Sequence, residues 1–348
     1  YYRDLVETVL QASGVGRLPA RAFTRRPFPT DWLDTRESER VLHYQTRTLD
    51  DYARDLRSLL GLRRHLVVAL RPIVRWWLLR LSAPYRVPAI PQVALVTGGS
   101  GGIGAATARR LAAAGMKVIL VARGRPGLEQ VAGAIRSAGG QAEVLEADLT
   151  REQDVRNVYD RSSAIYGPVD LVVNCAGIGW YGYGDEMPWP AADEMIRVNL
   201  TAVARLTMLF LSEMKRRGQG HIINIGSIVG SLPSQGVALY SATKSFVDSF
   251  SSSLFRELKG TGVHISVIRP GAIRSGFFDK VARASFGRRI PAERLALAPE
   301  RVAEGVWSVV RRPRRLAYVP PILAFVPWIE LTFGWLIDRL GPLELRRM

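Results

Sequence analysis

A glycine-rich turn between an apolar strand and a helix constrains the fold of this chain more than any other feature. Residues 93–97 read Val-Ala-Leu-Val-Thr, and residues 98–104 read Gly-Gly-Ser-Gly-Gly-Ile-Gly. Residues 105–114 then have the composition of a helix that ends at Gly115, and a second apolar strand occupies 117–121. Such a loop lets a pyrophosphate approach the backbone and directs a helix N-terminus towards it. The pattern therefore predicts an α/β fold with a nucleotide site after its first strand.

A tyrosine and a lysine further along the chain indicate acid–base chemistry. Tyr240 and Lys244 stand four residues apart, so they share one face of the helix predicted there. A nearby ammonium favours the ionised form of a phenol, whose pKa is ordinarily about 10. The spacing occurs by chance in many helices, so the nucleotide site upstream is what gives the pair its meaning.

These features together resemble the short-chain dehydrogenase/reductase (SDR) family, over residues 91–320. The family's motifs are the Thr-Gly-x-x-x-Gly-x-Gly spacing at 97–104 and the Tyr-x-x-x-Lys spacing, with Ser227 placed before Tyr240. Cys175 departs from the family pattern, which usually has asparagine there. Further matches follow in the family's order: Asp148-Leu149, Asn174-Cys175-Ala176-Gly177, Asn199 and Pro270-Gly271.

The resemblance implies a three-layer, Rossmann-like α/β fold with a doubly wound parallel sheet of about seven strands. We expect an NADP(H)-binding catalytic domain at 91–320, a helical basic extension at 1–90 and an apolar tail at 321–348. The expected strands are 93–97, 117–121, 142–147, 171–173, 222–226, 264–268 and 315–320.

Each matched polar residue has a role that the resemblance implies. Tyr240 would protonate a carbonyl oxygen as hydride arrives, or deprotonate an alcohol in the reverse direction. Lys244 would lower the pKa of Tyr240 and hold the nicotinamide ribose. Ser227 would orient the substrate oxygen, and Asn199 would hold a water near Lys244.

The residues after the second strand predict the choice of cofactor. Enzymes that prefer NAD usually carry an acidic residue there, and this chain has Arg123 and Arg125 instead. A guanidinium suits a 2′-phosphate, so we expect NADP(H). The expected cofactor-binding residues are Thr97, Gly98, Ser100, Gly102, Ile103, Gly104, Arg123, Asp148, Leu149, Asn174, Ala176, Gly177, Tyr240, Lys244, Pro270, Gly271, Ile273 and Ser275.

Charge is concentrated at the two ends of the chain. The formal net charge is +17, and the segments 1–90 and 280–348 carry most of it. Basic ends suit an anionic membrane surface, a nucleic acid or an acidic protein, although an arginine-rich composition alone would give the same balance. No recognisable nucleic-acid module is present, so we expect no nucleic-acid partner. One cysteine and 4 scattered histidines also argue against a disulfide framework and a metal site.

Both ends contain apolar segments with tryptophans. Residues 65–81 suit either a membrane interface or packing on protein, and Pro72 interrupts them. Residues 321–337 are short for a spanning helix and suit an interface or the roof of a substrate pocket. Residues 34–42 predict a helix start, and residues 31–52 faintly resemble the C-terminal tail of an epimerase-type SDR. We therefore expect an upstream SDR domain in a longer chain.

The substrate is predicted from aromatic residues near the site. These residues favour a bulky apolar ketone or alcohol over a sugar, although ordinary packing would also explain them. The expected pocket walls are Trp180, Tyr181, Tyr183, Val229, Gln235, Phe277, Phe278 and Phe286. A basic segment that would attract an anionic acyl carrier contains Lys280, Arg283, Arg288, Arg289 and Arg294.

Three functions follow, in order of preference. The first is NADP(H)-dependent reduction of a lipid-like ketone, or oxidation of the alcohol, at a membrane surface. The second is a soluble 3-oxoacyl-carrier reductase, and the third is a non-catalytic scaffold with basic ends. We expect a cytoplasmic protein, free or peripheral on the inner face of a membrane, and a homo-oligomer that packs through residues 191–217 and 240–259.

Overall fold

The computed structural model describes residues 2–18, 49–61, 63–81, 91–232, 234–285 and 295–340. It divides into two compact units, Tyr1–Ala89 and Ile90–Met348. Several predictions lie outside the described residues. They are the helix start at 34–42, most of the resemblance at 31–52, and Phe286, Arg288, Arg289 and Arg294.

The first unit is helical in its described part. Arg71 in this unit donates a hydrogen bond from Nε to the carbonyl oxygen of Val15 at 3.0 Å, which joins two helical segments. The segment expected at 65–81 forms two helices, because the first ends just before Leu70. The helices are Tyr2–Ala12, Leu49–Leu60, Arg63–Ala69 and Arg71–Leu81.

The second unit is built on a seven-stranded parallel sheet in the order β3-β2-β1-β4-β5-β6-β7. This confirms the predicted doubly wound α/β fold, in which the strand order reverses between β1 and β4. The strands are β1 Val93–Thr97, β2 Lys117–Ala122, β3 Gln141–Glu146, β4 Leu171–Asn174, β5 Gly220–Ile225, β6 Val263–Pro270 and β7 Leu316–Val319.

Helices cover both faces of this sheet, which explains why its strands are continuous apolar runs. In β1, Ala94 and Val96 join the core on one face, and Val93 and Leu95 join the core on the other. The helices are Gly102–Ala113, Arg125–Ser137, Glu152–Tyr166, Trp189–Ile196, Val203–Arg217, Ala238–Glu257, Phe277–Ala284, Pro299–Arg311 and Val326–Leu340.

A π-helical turn, Arg197–Ala202, joins the helices on either side of it into one long helix. Among the described residues, this continuous helix, Trp189–Arg217, is long and apolar enough to cross a membrane by length and composition alone. Within its most apolar window, 44% is buried inside the protein, as in a core helix of a folded domain. Pro321–Leu336 is a shorter apolar helical segment.

Candidate active site

The glycine loop after β1 forms an open cradle at the start of a helix. The helix begins at Gly102, earlier than the sequence predicts, and Gly98 and Gly102 adopt positive φ of 68° and 53°. A Cβ on Gly104 would lie 2.2 Å from the Gly98 carbonyl oxygen, whereas a Cβ on Gly101 would meet nothing within 4 Å. The tight turn and the open space suit an anion such as a pyrophosphate, because backbone N–H groups at a helix start attract negative charge. These residues therefore fit a dinucleotide.

Thr97 supports this cradle from behind. Its hydroxyl oxygen accepts hydrogen bonds from the backbone nitrogens of Cys175 at 2.9 Å and Ala176 at 3.0 Å. The side chain is buried and joins β1 to the loop after β4. Internal hydrogen bonds therefore occupy the Thr97 hydroxyl group, and a cofactor contact at Thr97 stays a prediction.

A cleft of about 640 Å³ extends from the glycine loop along the carboxyl ends of the strands. It brings together most of the residues that the sequence singled out, from both halves of the sheet. Those residues are Gly98, Ser100, Gly102, Ile103, Gly104, Ala176, Gly177, Ser227, Tyr240, Lys244, Pro270, Gly271, Ile273 and Ser275.

Tyr240 and Lys244 lie in the helix Ala238–Glu257 and line this cleft together. The Lys244 ammonium group lies 5.6 Å from the centre of the Tyr240 ring and donates a hydrogen bond to the Ile225 carbonyl oxygen at 2.9 Å. Ser227 follows β5 and is nearly buried, and its hydroxyl oxygen accepts from the Val229 backbone nitrogen at 3.4 Å. The Ser227 hydroxyl group also forms a hydrogen bond with Tyr240, so both side chains face the same point of the cleft.

Burial shifts both pKa values in this pair towards the neutral forms. Burial raises the pKa of Tyr240 to about 12, although the hydrogen bond with Ser227 opposes the shift. Burial lowers the pKa of Lys244 to about 8, against the attraction of Cys175 and Asp248. The expectation that Lys244 lowers the pKa of Tyr240 is therefore not met in the protein alone. Desolvation of the phenol outweighs the effect of an ammonium that donates its hydrogen bond elsewhere.

Asp248 lies one turn after Lys244 on the same helix and belongs to a buried ion pair. Asp248 and Arg269 are 3.1 Å apart, and Arg269 also donates to the Tyr318 hydroxyl at 2.7 Å. Burial raises the pKa of Asp248, while Arg269 and Lys244 oppose that shift. The sequence analysis missed this group, because the pairing joins residues on a helix and a strand that no short motif connects.

Asn199 occupies the π-helical turn and is fully buried. Its amide exchanges two hydrogen bonds with the backbone of Ile178, at 2.9 and 2.8 Å, and donates to Thr243 at 3.2 Å. A Cβ on Gly177 would lie 3.4 Å from Asn199 Oδ1 and 3.7 Å from Lys244 Nζ. Asn199 therefore lies close to Lys244 across Gly177, as expected, although its own contacts are with protein. A π-helical turn often marks a functional position.

Asn174 lies outside the cleft. Its side-chain nitrogen donates to Thr207 at 3.2 Å and to Asn224 at 2.8 Å, and Asn224 donates to Ser251 at 2.9 Å. All four side chains are buried in the sheet or the helices beside it. The side-chain nitrogen of Asn174 is therefore occupied inside the protein, and a cofactor contact at Asn174 stays a prediction.

The residues expected at the adenosine end follow β2 and β3 and do not line the main cleft. Arg123 forms an exposed ion pair with Glu194 at 2.6 Å. Asp148 accepts two hydrogen bonds from Thr150, at 3.0 and 2.8 Å. Burial tends to raise its pKa, but these bonds and nearby arginines lower it overall. Leu149 is buried in the apolar core, and its place beside the adenine stays a prediction.

The far end of the cleft is aromatic. Tyr240 and Phe277 lie with ring centres 5.7 Å apart. The expected wall residues that line the cleft are Trp180, Tyr181, Val229, Gln235, Phe277 and Phe278, with Lys280 from the basic segment. Tyr183 packs on the aromatic cluster behind this wall. Lining residues that the sequence analysis missed include Gly179, where a Cβ would lie 2.5 Å from Phe277, and Leu295.

Comparison with known proteins places this site among dehydrogenases. Residues 92–285 match the family model described as short chain dehydrogenase. The chain is 36% identical over 212 residues to a very-long-chain 3-oxoacyl-CoA reductase of Anas platyrhynchos, covering 59% of this chain and 66% of that protein, just under two thirds of its length. It is 34% identical over 212 residues to the 3-oxoacyl-(acyl-carrier-protein) reductase FabG of Escherichia coli, covering 60% of this chain and 86% of that protein.

A solved structure agrees with these sequence matches. The short-chain dehydrogenase from Sphingobium yanoikuyae in complex with NADPH superimposes with a TM-score of 0.62 at 29% identity, covering 74% of this chain and 96% of that one. The sheet and the cleft described above therefore correspond to those of a protein that binds a nicotinamide dinucleotide.

Proposed function

Because the chain belongs to the short-chain dehydrogenase family, we propose that it is an NADP(H)-dependent oxidoreductase that reduces the ketone of a bulky, apolar, lipid-like substrate. The observation that carries this proposal is the position of Tyr240. Its ring lies in one cleft with Ser227, Lys244 and the glycine loop, and it also contacts the aromatic wall. The acid–base residues, the nucleotide cradle and the apolar wall therefore meet at the phenol of Tyr240.

The chain's own residues supply the proton and the orientation. NADPH, when bound, would supply the hydride. Tyr240 would donate its proton to the carbonyl oxygen, and its pKa of about 12 keeps the phenol protonated at neutral pH. Ser227 would hold the same oxygen through its hydroxyl group. Lys244 and Asn199 would connect Tyr240 to solvent through the space beside Gly177.

The cofactor choice is supported by two independent observations. Arg123 is exposed directly after β2, and the sequence 122–126 contains no acidic residue of the kind that NAD-preferring enzymes carry there. The Sphingobium yanoikuyae enzyme, which shares the fold, was crystallised with NADPH. The open cradle at Gly101 has room for the pyrophosphate that both forms of the cofactor share.

The substrate class is supported by the far end of the cleft. Phe277, Phe278, Trp180 and Leu295 give it an apolar lining, and apolar contact is what a long acyl or polycyclic ketone requires. Two of the similar proteins are named as reductases of 3-oxoacyl substrates. A homologous series of methyl ketones tests this part of the proposal.

We expect kcat/KM with NADPH to rise with chain length along that series, because each added methylene buries more apolar surface. Phe278→Ala should flatten the dependence, and Phe255→Ala, at an exposed position outside the cleft, is the matched control. A preference for short or hydroxylated ketones would contradict the apolar substrate.

The membrane surface is supported by the segment that follows β7. A Cβ on Gly271 would lie 3.0 Å from Leu323, so this segment starts at the wall of the cleft. The helix Val326–Leu340 then exposes Trp328 (62%), Leu331 (85%) and Trp335 (66%) to solvent. Large exposed apolar surfaces are rare on soluble monomers, and tryptophans favour the bilayer interface. We propose that this helix lies in a membrane interface beside the cleft.

A flotation assay with anionic vesicles tests this location. The wild type should float, and Leu331→Asp should reduce flotation without changing NADPH binding. Leu59→Asp, at an equally exposed apolar position in the other unit, reports any general effect of a new charge. A wild-type protein that stays at the bottom of the gradient would contradict the membrane surface.

A soluble 3-oxoacyl-carrier reductase is the second candidate. It is favoured by the similarity to FabG and by Lys280, whose ammonium stands at the cleft where an anionic carrier would approach. Faster turnover of carrier-bound than of free 3-oxoacyl substrates, with no vesicle binding, would establish this candidate instead. Assembly of copies through the helices Val203–Arg217 and Ala238–Glu257 stays a prediction.

A further inference from the structure

An exposed ion pair joins two segments on either side of the first strand. Arg123 Nη1 lies 2.6 Å from Glu194 Oε1, although the two residues are far apart in the sequence. Arg123 follows β2 directly, and Glu194 lies in the helix Trp189–Ile196, after β4. β1 stands between β2 and β4 in the sheet, so the pair connects the chain that follows β2 with the chain that follows β4.

The carboxyl edge of β1 is where a nucleotide would have to lie. The strand order reverses between β1 and β4, and ligands of open α/β sheets bind in the crevice at such a reversal. The glycine cradle starts at the same edge, immediately after Thr97. In the protein alone, the guanidinium that is expected to meet the cofactor is therefore held by a carboxylate from the opposite side of the crevice.

We infer that Glu194 competes with the 2′-phosphate of NADP(H) for Arg123 and so sets the affinity for this cofactor. The inference rests on the proposed function, since it requires NADP(H) as the ligand. A guanidinium binds carboxylates and phosphates with the same donors, so Arg123 cannot satisfy both fully at once. Both partners of the pair are exposed, and exposed pairs are weak, so the more highly charged phosphate displaces the carboxylate.

The competition predicts a cofactor-specific effect of Glu194→Gln. Without the Glu194 carboxylate, Arg123 loses its ion-pair partner before NADPH binds, while Asp148, whose pKa Arg123 helps to lower, keeps its charge in the wild type and the variant alike. NADPH should therefore bind about two- to five-fold more tightly, which is the range expected when an exposed ion pair is released. NADH lacks the phosphate, so its affinity should not change.

Calorimetric titration of the full chain with NADPH and with NADH measures this effect directly. Asp193→Asn is the matched control, because it removes one negative charge from the same helix while its partner is Arg197, at 2.7 Å. Its NADPH affinity should stay within the error of the wild type. An equal increase in the control would show a general charge effect and overturn the competition.

A second variant completes the test. Arg123→Gln should weaken NADPH binding, and adding Glu194→Gln to it should have no further effect, because the shared partner is gone. If the wild-type protein binds NADPH and Glu194→Gln binds it with the same or a weaker affinity, the inference about Glu194 is overturned and the proposed cofactor stands. Wild-type protein that binds no NADPH would overturn the proposed cofactor as well.

Discussion

Replacing Gly104 with alanine should separate the glycine loop from the helix that follows it. The new Cβ would lie 2.2 Å from the Gly98 carbonyl oxygen and 2.7 Å from its carbon, whereas ordinary contacts start at 3.4 Å. Both neighbours are backbone atoms, so the loop or the helix must move by about 1 Å. Overpacking of this kind costs about 1–3 kcal/mol. The better helix propensity of alanine returns about 1 kcal/mol, so we expect a net loss of about 0–2 kcal/mol.

Gly133→Ala is the matched control for this substitution. Gly133 also lies inside a helix, Arg125–Ser137, but a Cβ there would meet nothing within 4 Å. It should raise the free energy of unfolding by about 0.4–1 kcal/mol, because the unfolded chain loses freedom. Gly104→Ala should therefore lose stability and Gly133→Ala should gain it, so that the free energies of unfolding of the two variants differ by about 0.4–3 kcal/mol.

Urea denaturation measures the stability of both variants, and NADPH titration measures the state of the loop. Gly104→Ala should lose most of its NADPH affinity, because the displaced Gly98 carbonyl distorts the cradle, and Gly133→Ala should bind like the wild type. Equal stabilisation of both variants, with unchanged NADPH binding, would refute the close approach of loop and helix.

Four further outcomes follow from groups in or near the site. Arg269→Met should lower the free energy of unfolding by about 3–5 kcal/mol, because it leaves Asp248 buried without its partner. Adding Asp248→Asn to that variant should recover part of the loss, as measured by urea denaturation. Lys244 has a folded pKa of about 8, below its unfolded value, so stability should rise with pH from about 8 to 10.5, and Lys244→Met should abolish that rise. Tyr240 has a folded pKa of about 12, above its unfolded value, so stability should fall between about pH 10 and 12, and Tyr240→Phe should remove that fall. Gly177→Ala should lower kcat, because its Cβ fills the space between Asn199 and Lys244. Unchanged turnover in steady-state assays would show that this space carries no proton.

The fold could be predicted because each of its determinants is local in the sequence. Apolar runs such as β1 and β5 alternate with helical segments, and glycines mark the loop where the backbone must turn tightly. The same reasoning grouped Ser227, Tyr240 and Lys244, since a strand end and a helical spacing fix where each side chain lies.

The direction in which several side chains face was not predictable. Thr97 and Asn174 belong to family motifs, yet the Thr97 hydroxyl and the Asn174 side-chain nitrogen form hydrogen bonds inside the protein, with Cys175, Ala176, Thr207 and Asn224. A motif records that a residue is required and does not record whether it contacts a ligand or supports the loop that does.

Interactions across long sequence separations were also missed. The ion pair of Arg123 with Glu194 and that of Asp248 with Arg269 each join different elements, and no spacing in the sequence reveals them. The pKa of Tyr240 differed from expectation for a related reason, because burial depends on the whole cleft rather than on the lysine four residues away.

The rate of NADPH oxidation by Tyr240→Phe tests the central claim most directly. With the best methyl ketone from the chain-length series, the variant should lose at least about 100-fold in kcat, because the substitution removes only the phenolic hydroxyl group that would donate the proton. NADPH affinity and the free energy of unfolding below pH 9 should stay near the wild-type values, which excludes a folding defect. Turnover equal to that of the wild type would contradict the role of Tyr240 as the acid that protonates the ketone.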